Sequence, residues 1–330
     1  MVLLITGRCG AGCFYCPLSR EKRGKDVVYA NERRVASPDD IIDEATLMDA
    51  LGTGITGGDP LLAIGRTVDS IRLLKRRFGR SHHIHLYTAC SDAARIRRVA
   101  RAGLDEIRFH PPMPAWQRLS STPYHAAVRV AKRLGVSVGL ELPAIPGKGR
   151  ELVSAIAFAD AAELDFVNLN ELEFSETNWR ALRRLGFDVR DDVSAAVAGS
   201  ERLAHELLRL RTDVPLHYCS AAFKDGVQLR RRIMRRARNV RRPHEVLTRD
   251  GTLLKGVIET PDRSMTAAWL LKEFNIPGEL IYSNPSKNRL EIAPWVLEEI
   301  AGEIGMPAYI VEEYPTADAL EVERIPLTRR

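Results

Sequence analysis

The sequence predicts an α/β protein: a partial (β/α)6-type TIM barrel followed by a small α+β domain of the ferredoxin-like type. Two observations lead to this prediction. Over residues 1 to about 220, short β-like runs alternate with helix-like runs, which is typical of βαβ units and a parallel sheet. After about residue 249 the order becomes strand, helix, two strands, helix and strand, which is the split βαβ arrangement.

Seven strands and five helices account for the first part. The strands are predicted at residues 2–6, 54–56, 84–88, 106–110, 136–142, 166–172 and 216–219, and the helices at 37–51, 66–78, 93–102, 124–134 and 150–162. The first helix begins well, because the hydroxyl of Ser37 is followed by Pro38 and two carboxylates. No glycine-rich dinucleotide fingerprint follows the first strand, which favours a barrel over a doubly wound sheet.

The second part begins after a strongly basic segment. Strands are predicted at 252–259, 279–282, 289–293 and 308–313, helices at 264–274 and 294–304, and 320–326 is a candidate edge strand. We therefore divide the chain into a barrel at residues 1–221, a basic helical linker at 222–248 and a small α+β domain at 249–330.

The composition is that of a globular protein. Of the 330 residues, 45% are hydrophobic and 28% are charged, which excludes disordered and collagen-like classes. No apolar run reaches the roughly 18–20 residues of a membrane span, and no signal-peptide pattern precedes the first motif. We expect a soluble, cytoplasmic protein that has no membrane partner.

Three of the five cysteines, Cys9, Cys13 and Cys16, crowd into one short loop directly after the first strand. This clustering favours a metal site over disulfide bonds. A structural zinc ion normally needs a fourth protein ligand nearby, and the sequence offers none. A [4Fe–4S] cluster on three cysteines keeps one iron open, which suits chemistry at that iron. A zinc loop and a chance cluster are the alternatives.

The spacing C-x3-C-x2-C, with Tyr15 just before the last cysteine, resembles the signature of the radical S-adenosylmethionine (SAM) superfamily. The resemblance implies a [4Fe–4S] cluster whose open iron binds SAM. It also implies reductive cleavage of SAM to methionine and a 5′-deoxyadenosyl radical that abstracts hydrogen from a substrate. An electron donor such as ferredoxin or flavodoxin would be the partner that reduces the cluster.

Other residues match the family at the ends of strands. Gly57-Gly58-Asp59 resembles the family's GGE motif, which receives the SAM amino group through backbone carbonyls, with aspartate in place of glutamate. A plain Gly-Gly-Asp-Pro turn is the alternative. The remaining candidates for SAM binding are Tyr15, Thr88, Arg108, His110, Glu141, Asn170 and Glu171. For most of these, a solvated or internally hydrogen-bonded strand end is the alternative.

The two remaining cysteines, Cys90 and Cys219, limit the class of enzyme. In this superfamily, methylthiotransferases and enzymes with auxiliary clusters need three or more further cysteines. A second complete cluster on protein ligands is therefore not expected. Single free cysteines usually pack as small apolar residues.

The positive charge of the chain concentrates in residues 224–242, which hold nine basic side chains and one acidic one, a net charge of +8 against +6 for the whole chain. Residues 226–240 are predicted as a helix. Because arginine binds phosphate bidentately, we expect nucleic-acid contacts on this helix. The predicted contact residues are Arg230, Arg231, Arg232, Arg235, Arg236 and Arg238. A solvated arginine-rich face or an ion-pair network is the alternative.

Two functions compete on this reading. In the first, which is the primary prediction, the barrel carries out a radical step on RNA, either tRNA, which is the leading candidate, or another RNA. The basic helix and the small domain hold this RNA. In the second, the enzyme acts on a protein or a small molecule, since the first 220 residues resemble the activating enzymes of glycyl-radical enzymes such as pyruvate formate-lyase, and their uncharacterised archaeal relatives. Those activases are generally single-domain proteins. A structural iron–sulfur module would leave the Gly-Gly-Asp-Pro motif unexplained.

Overall fold

A computed structural model describes residues 1–191 and 194–327 of the chain. The chain divides into two compact units. The first comprises residues 1–46 and 50–227, and the second comprises residues 47–49 and the chain from residue 228 onward.

The first unit is built on a nine-stranded sheet. Its strands are β1 (Val2–Leu4), β2 (Tyr29–Ala30), β3 (Arg33–Arg34), β4 (Gly52–Thr56), β5 (His83–Thr88), β6 (Glu106–Phe109), β7 (Ser137–Ala144), β8 (Phe166–Glu171) and β9 (Leu216–Cys219). They lie in the order β3-β2-β1-β4-β5-β6-β7-β8-β9. The seven strands from β1 and β4 to β9 are parallel, and β2 and β3 form an antiparallel hairpin beside β1. Because β9 does not return to pair with β1, the barrel is partial.

Helices connect the parallel strands. They are α1 (Pro38–Leu47), α2 (Ile64–Phe78), α3 (Ala93–Ala102), α4 (Pro123–Arg133), α5 (Gly149–Ala161), α6 (Trp179–Arg184), α7 (Ser200–Leu207) and the short α8 (Ala221–Phe223), with 3-10 turns at Pro60–Ala63 and Met113–Ser121. Helix α3 shows how one of them begins and ends. The Asp92 carboxylate accepts from two amides of its first turn, and Gly103 ends it with a left-handed φ of 109°. The β2–β3 hairpin and the helices α6 to α8 are not in the predicted element list.

The core of the first unit lies between the sheet and these helices. Fully buried side chains such as Leu86, Ile107 and Leu140 occupy alternate positions of their strands and point into this core. The intervening positions face the other side of the sheet, where the strands carry polar side chains. This alternation gives the unit an apolar outer layer and a polar inner face.

The second unit contains a smaller antiparallel sheet. A π-helical turn at Lys224–Leu229 leads into α9 (Arg230–Val240), followed by β10 (Val246–Leu247), β11 (Leu253–Ile258), α10 (Arg263–Glu273), a 3-10 turn at Gly278–Leu280, β12 (Ile281–Asn284), β13 (Arg289–Ile292), α11 (Pro294–Ile300), β14 (Ala308–Glu313) and β15 (Glu321–Pro326). The strand order is β12-β13-β11-β14-β15, with β10 beside β11. From β11 to β14 the elements follow the predicted order of strand, helix, two strands, helix and strand, and β15 is the predicted edge strand.

The two faces of this sheet differ in chemistry. One face packs an apolar cluster against α10 and α11 through Ile258, Leu290 and Ile292. The residues between these positions, such as Lys255 and Glu291, are buried on the opposite face and are charged. A strand that alternates in this way has two buried faces, of which one is ionic.

Among the described residues, none of the helices has both the length and the apolar character required to span a bilayer.

Candidate functional site

The loop that follows β1 carries the three clustered cysteines, at the carboxyl end of the parallel strands. Cys9 is exposed, Cys13 and Cys16 are partly buried, and all three are free thiols. Partial desolvation of the thiols raises the pKa of Cys9 and of Cys13. The structure thus presents three unpaired thiols in one loop, at the end of the sheet where parallel strands place functional residues.

Two side chains from the loop after β8 hold the far end of the cysteine loop. The amide nitrogen of Asn178 donates to the main-chain oxygen of Tyr15 at 3.0 Å and to that of Glu173 at 2.9 Å. The hydroxyl of Thr177 donates to the main-chain oxygen of Cys16 at 3.1 Å. Asn178 is fully buried. Sequence reasoning missed both residues, because they lie more than 160 positions from the loop that they hold.

Tyr15 connects this loop to β6 and β7. Its hydroxyl lies 3.0 Å from Nε2 of His110, and Nδ1 of His110 lies 2.7 Å from the main-chain oxygen of Glu141. Burial raises the pKa of Tyr15 and lowers that of His110, so both side chains are neutral at pH 7. The structure therefore brings Tyr15 and His110, two of the predicted site residues, into direct contact.

The Gly57-Gly58 turn packs directly on the backbone that leads into the cysteine loop. The amide of Gly58 donates to the oxygen of Thr6 at 2.6 Å, and the amide of Asp59 donates to the oxygen of Arg8 at 2.8 Å. A Cβ atom would lie 2.4 Å from the Thr6 oxygen at Gly57 and 2.2 Å from the Arg8 oxygen at Gly58. Only glycine permits this approach. The turn thus lies against the residue that precedes Cys9.

Asp59 and Thr88, two of the residues predicted to bind SAM, are hydrogen-bonded to each other. One oxygen of the Asp59 carboxylate accepts from Thr88 Oγ1 at 2.8 Å and from the Leu61 amide at 3.0 Å, and the other accepts from the Ala89 amide at 3.1 Å. Burial raises the pKa of Asp59. In this arrangement the two side chains hold the ends of β4 and β5 together beneath the Gly57-Gly58 turn.

A second polar group lies on the inner face of β6, β7 and β8. One oxygen of Glu141 accepts from the amide nitrogens of Asn168 at 2.6 Å and Asn170 at 2.5 Å, and the other lies 3.4 Å from Arg108. Arg108 also bonds Glu106 at 2.5 Å and the Tyr87 hydroxyl at 3.2 Å. Burial raises the pKa of Glu141 in spite of these partners. Three predicted residues, Arg108, Glu141 and Asn170, meet here.

The structure does not bring Glu171 to this inner face. Alternate residues of a strand point to opposite faces, so Glu171 points away from Asn170, into the outer layer. Its buried carboxylate binds Arg190 at 2.8 Å and caps α8 by accepting from the Ala221 amide at 2.8 Å. Both oxygens are therefore used in holding the outer layer of the unit.

The six predicted nucleic-acid residues are placed unequally on α9. Arg230 donates to the main-chain oxygen of Arg249 at 2.6 Å, Arg235 donates to that of Asp49 at 3.1 Å, and Arg236 is buried and donates to that of Pro315. Arg231 and Arg238 are exposed. Arg232 is partly buried and has a contact within the protein. Three of the six guanidinium groups thus bond the protein's own backbone.

The residues at the carboxyl end of the sheet fit the cofactors that the cysteine pattern implies. Cys9, Cys13 and Cys16 are unpaired thiols in one loop and would hold a [4Fe–4S] cluster. The backbone of Gly57 and Gly58, which packs on the residues leading into the cysteine loop, would meet the amino group of SAM. Residues of the polar inner face, including Glu141, lie on strands that end at the same side.

Comparison with known proteins agrees with this geometry. A family model described as the radical SAM superfamily matches residues 3–159, which contain the cysteine loop and the Gly57-Gly58 turn. A protein of Methanocaldococcus jannaschii, provisionally named a glycyl-radical enzyme activating enzyme, is 40% identical over an alignment that covers 99% of this chain and 89% of that protein. The chain belongs to the radical SAM superfamily. It is a radical SAM enzyme, and its family implies a [4Fe–4S] cluster and SAM as cofactors.

The second unit of this radical SAM enzyme has a family of its own. Residues 251–327 match a domain of unknown function, DUF8061. Because the alignment with the Methanocaldococcus protein covers 99% of the chain, it includes this domain as well as the barrel.

Solved structures resemble the enzyme more distantly. Methylornithine synthase has 14% sequence identity and a TM-score of 0.43, over 63% of this chain and 60% of that one. Streptococcus suis SuiB bound to S-adenosylmethionine has 12% identity and a TM-score of 0.42, over 66% of this chain and 49% of that one. The chain thus spans less than two thirds of either structure.

Proposed function

We propose that this radical SAM enzyme is the activating enzyme of a glycyl-radical enzyme, which was the alternative in the sequence analysis. The observation that carries the proposal is the 40% identity, over nearly the whole chain, to the Methanocaldococcus protein that is provisionally named for this activity. The single-domain character of other activases was a reason to prefer RNA over this function. It no longer argues against an activase, because the alignment with the Methanocaldococcus protein includes the second domain.

The comparisons give no support to the primary prediction of RNA modification. That prediction depended on the arginines of α9, of which Arg230, Arg235 and Arg236 bond backbone oxygens of the protein. A protein substrate is therefore the better proposal for the radical step.

The proposed division of work follows from the site residues. When bound, the cluster and SAM supply a one-electron reductive cleavage that generates a hydrogen-abstracting carbon radical. Gly57 and Gly58 would position the amino group of SAM, and Tyr15 with His110 would hold the cysteine loop against β6. Glu141, Arg108 and Asn170 form the polar inner face. The glycyl Cα–H of the partner would give its hydrogen atom to that carbon radical, which would become 5′-deoxyadenosine, and a glycyl radical would be left on the partner.

The test begins with the enzyme reconstituted anaerobically with iron and sulfide, then incubated with SAM and dithionite. We expect 5′-deoxyadenosine from the wild type and from Cys90→Ala, and none from Cys13→Ala, because Cys90 lies outside the three-cysteine loop. If Cys13→Ala had the same iron content as the wild type and formed as much 5′-deoxyadenosine, the assignment of the cluster to the three-cysteine loop would be wrong.

The substrate is tested by adding soluble extract of the source organism, grown anaerobically, in separate protein, RNA and small-molecule fractions. We expect the protein fraction alone to give an organic radical whose EPR doublet collapses when the cells are grown on α-deuterated glycine. SAM turnover that depends on the RNA or small-molecule fraction, with no protein radical, would overturn the activase proposal and leave the radical SAM assignment intact.

A further inference from the structure

A second concentration of positive charge lies in the barrel, outside the segment that sequence analysis singled out. Residues 64–133 contain 15 basic and 4 acidic side chains, a net charge of +11. The total of +6 for the chain conceals this excess, because residues outside 64–133 and 224–242 carry a net charge of −13. The excess belongs to the first unit alone.

The structure places much of this charge on the outer surface of three helices that lie side by side. Helix α2 contacts α3, and α3 contacts α4. Each helix presents a pair of arginines four residues apart, one turn above the other. The pairs are Arg72 and Arg76 on α2, Arg97 and Arg101 on α3, and Arg129 and Arg133 on α4, and all six side chains are exposed. We call these six residues the arginine face.

No carboxylate compensates the arginine face. Helices α3 and α4 contain no acidic residue, and α2 contains Asp69 alone. None of the six guanidinium groups has a hydrogen bond, ion pair or ring contact to another residue in the described part of the chain. Elsewhere in the same unit exposed arginines do pair, as Arg202 does with Glu206. Like charges at i and i+4 disfavour a helix, so three such pairs in adjacent helices call for an external anion.

We infer that the arginine face binds the phosphate backbone of double-helical nucleic acid. Interfaces between proteins have an apolar centre rich in aromatic residues, and residues 64–133 expose no large hydrophobic side chain. Binding of single strands relies on exposed aromatic rings for base stacking, which these helices also lack. Interfaces with nucleic acid are more polar and far more positive, and the arginine fork fits phosphate oxygens.

This inference does not rest on the proposed function and assigns no RNA chemistry to the enzyme. It places the anion contacts on α2, α3 and α4 rather than on α9. The two surfaces can be compared directly, because Arg231 and Arg238 of α9 are also exposed. Replacing both of them by glutamate changes the net charge as much as replacing two residues of the arginine face, so they serve as the control pair in the other unit.

The experiment measures binding of the full-length protein to fluorescein-labelled DNA and RNA duplexes of one mixed sequence, by anisotropy over a series of salt concentrations. We expect log affinity to fall linearly with log salt, with a slope on DNA of up to about −5 if each of the six arginines neutralises one phosphate. The double variant Arg97→Glu/Arg101→Glu should reduce the slope by about two and weaken binding at low salt by about tenfold or more.

The matched control is Arg231→Glu/Arg238→Glu, which changes the net charge by the same amount and should leave the slope nearly unchanged. Equal losses in the two double variants would show that overall charge alone attracts the duplex, and would overturn the inference. So would wild-type protein that fails to bind at low salt, or polyglutamate that competes as well as duplex at equal charge. The latter result would indicate an acidic protein partner. A higher affinity for one of the two duplexes would show whether DNA or RNA supplies the phosphates that the arginine face binds.

Discussion

The hydroxyl of Tyr15 lies 3.0 Å from Nε2 of His110, and this pair fixes the direction of a short hydrogen-bonded chain. Nδ1 of His110 faces the main-chain oxygen of Glu141 at 2.7 Å, which can only accept a hydrogen bond, so Nδ1 carries the proton. Nε2 is then the acceptor, and Tyr15 donates to it. A residue of the cysteine loop is thereby tied to the strand that carries Glu141.

Removing the Tyr15 hydroxyl should destabilise the protein. In Tyr15→Phe, Nε2 of the His110 ring loses its partner in a buried setting, which typically costs about 1–3 kcal/mol. The measurement is the free energy of unfolding of the cluster-free protein in urea. Tyr29→Phe is the matched control, because the Tyr29 hydroxyl has no hydrogen bond among the described residues. Equal stabilities of the two variants would contradict the hydrogen-bonded chain.

The Gly57-Gly58 turn yields a prediction about cofactor loading. In Gly58→Ala the new methyl group would lie 2.2 Å from the Arg8 oxygen, so the backbone entering Cys9 must move. We expect reconstituted Gly58→Ala to bind a small fraction of the wild-type iron and to lose most of its visible iron–sulfur absorption.

The control for this prediction is Gly65→Ala in α2, where a Cβ atom would meet nothing within 4 Å. Alanine is also the better helix former, so this variant should load iron like the wild type. Wild-type iron content in Gly58→Ala would show that the turn does not constrain the cysteine loop.

Local patterns in the sequence predict this part of the site well. The cysteine spacing, the glycine pair and the alternation of strands with helices are all determined within short stretches of chain, and the structure places them together at strand ends. Asn178 could not be predicted, since its role depends on a contact with Tyr15 across 163 positions.

The prediction for Glu171 did not use all of the available information. Asn170 and Glu171 are adjacent in one strand, so both cannot face the same side of the sheet. Asn168 and Asn170 share the inner face with Glu141. That parity places Glu171 in the outer layer, where Arg190 is its partner. The charge total had a similar weakness, because a sum over the whole chain conceals regions of opposite sign.

A partly buried histidine on β5, His85, predicts how stability depends on pH. Burial, together with the charge of Arg108, lowers the pKa of His85 to about 3. The unfolded chain, in which the pKa is near 6.5, therefore binds more protons below that pH than the folded chain does. We expect the free energy of unfolding of the cluster-free protein to fall as the pH drops from 7.5 to 5.5, by at most about 1.4 kcal/mol per pH unit for this group.

The contribution of His85 to this pH dependence is measured by comparing the wild type with a variant that lacks the histidine. His85→Gln has no group that titrates at this position, so its stability should fall less steeply over the same range of pH. His82 and His110, whose pKa values burial also lowers, contribute to the decline that remains. Parallel curves for the variant and the wild type would exclude His85 as a source of the pH dependence.

Two buried cations, Lys255 and Arg289, bond the carboxylates on the ionic face of the second sheet. Nζ of Lys255 lies 2.5 Å from Glu245, 3.1 Å from Glu313 and 3.6 Å from Glu291, and all four side chains are buried. Although burial opposes ionisation, the positive charge of Lys255 and hydrogen bonds to the carboxylates hold the pKa of Glu291 and of Glu313 below its usual value. Arg289 also bonds Glu291 at 2.8 Å and Glu313 at 2.5 Å, so removing Lys255 chiefly leaves the buried carboxylate of Glu245 without the lysine that pairs with it. Breaking a buried pair in this way typically costs about 3–5 kcal/mol.

We therefore expect Lys255→Met to lower the urea midpoint of the second unit strongly, as reported by the fluorescence of Trp269 and Trp295. Lys272→Met, at an exposed position of α10, is the matched control and should change the midpoint little. Lowering the pH below about 4 should weaken the wild type as well, because carboxylates with a depressed pKa stabilise the fold only while they are ionised. A midpoint for Lys255→Met equal to that of the wild type would show that the methionine packs among the carboxylates at no net cost, contrary to the ionic network described here.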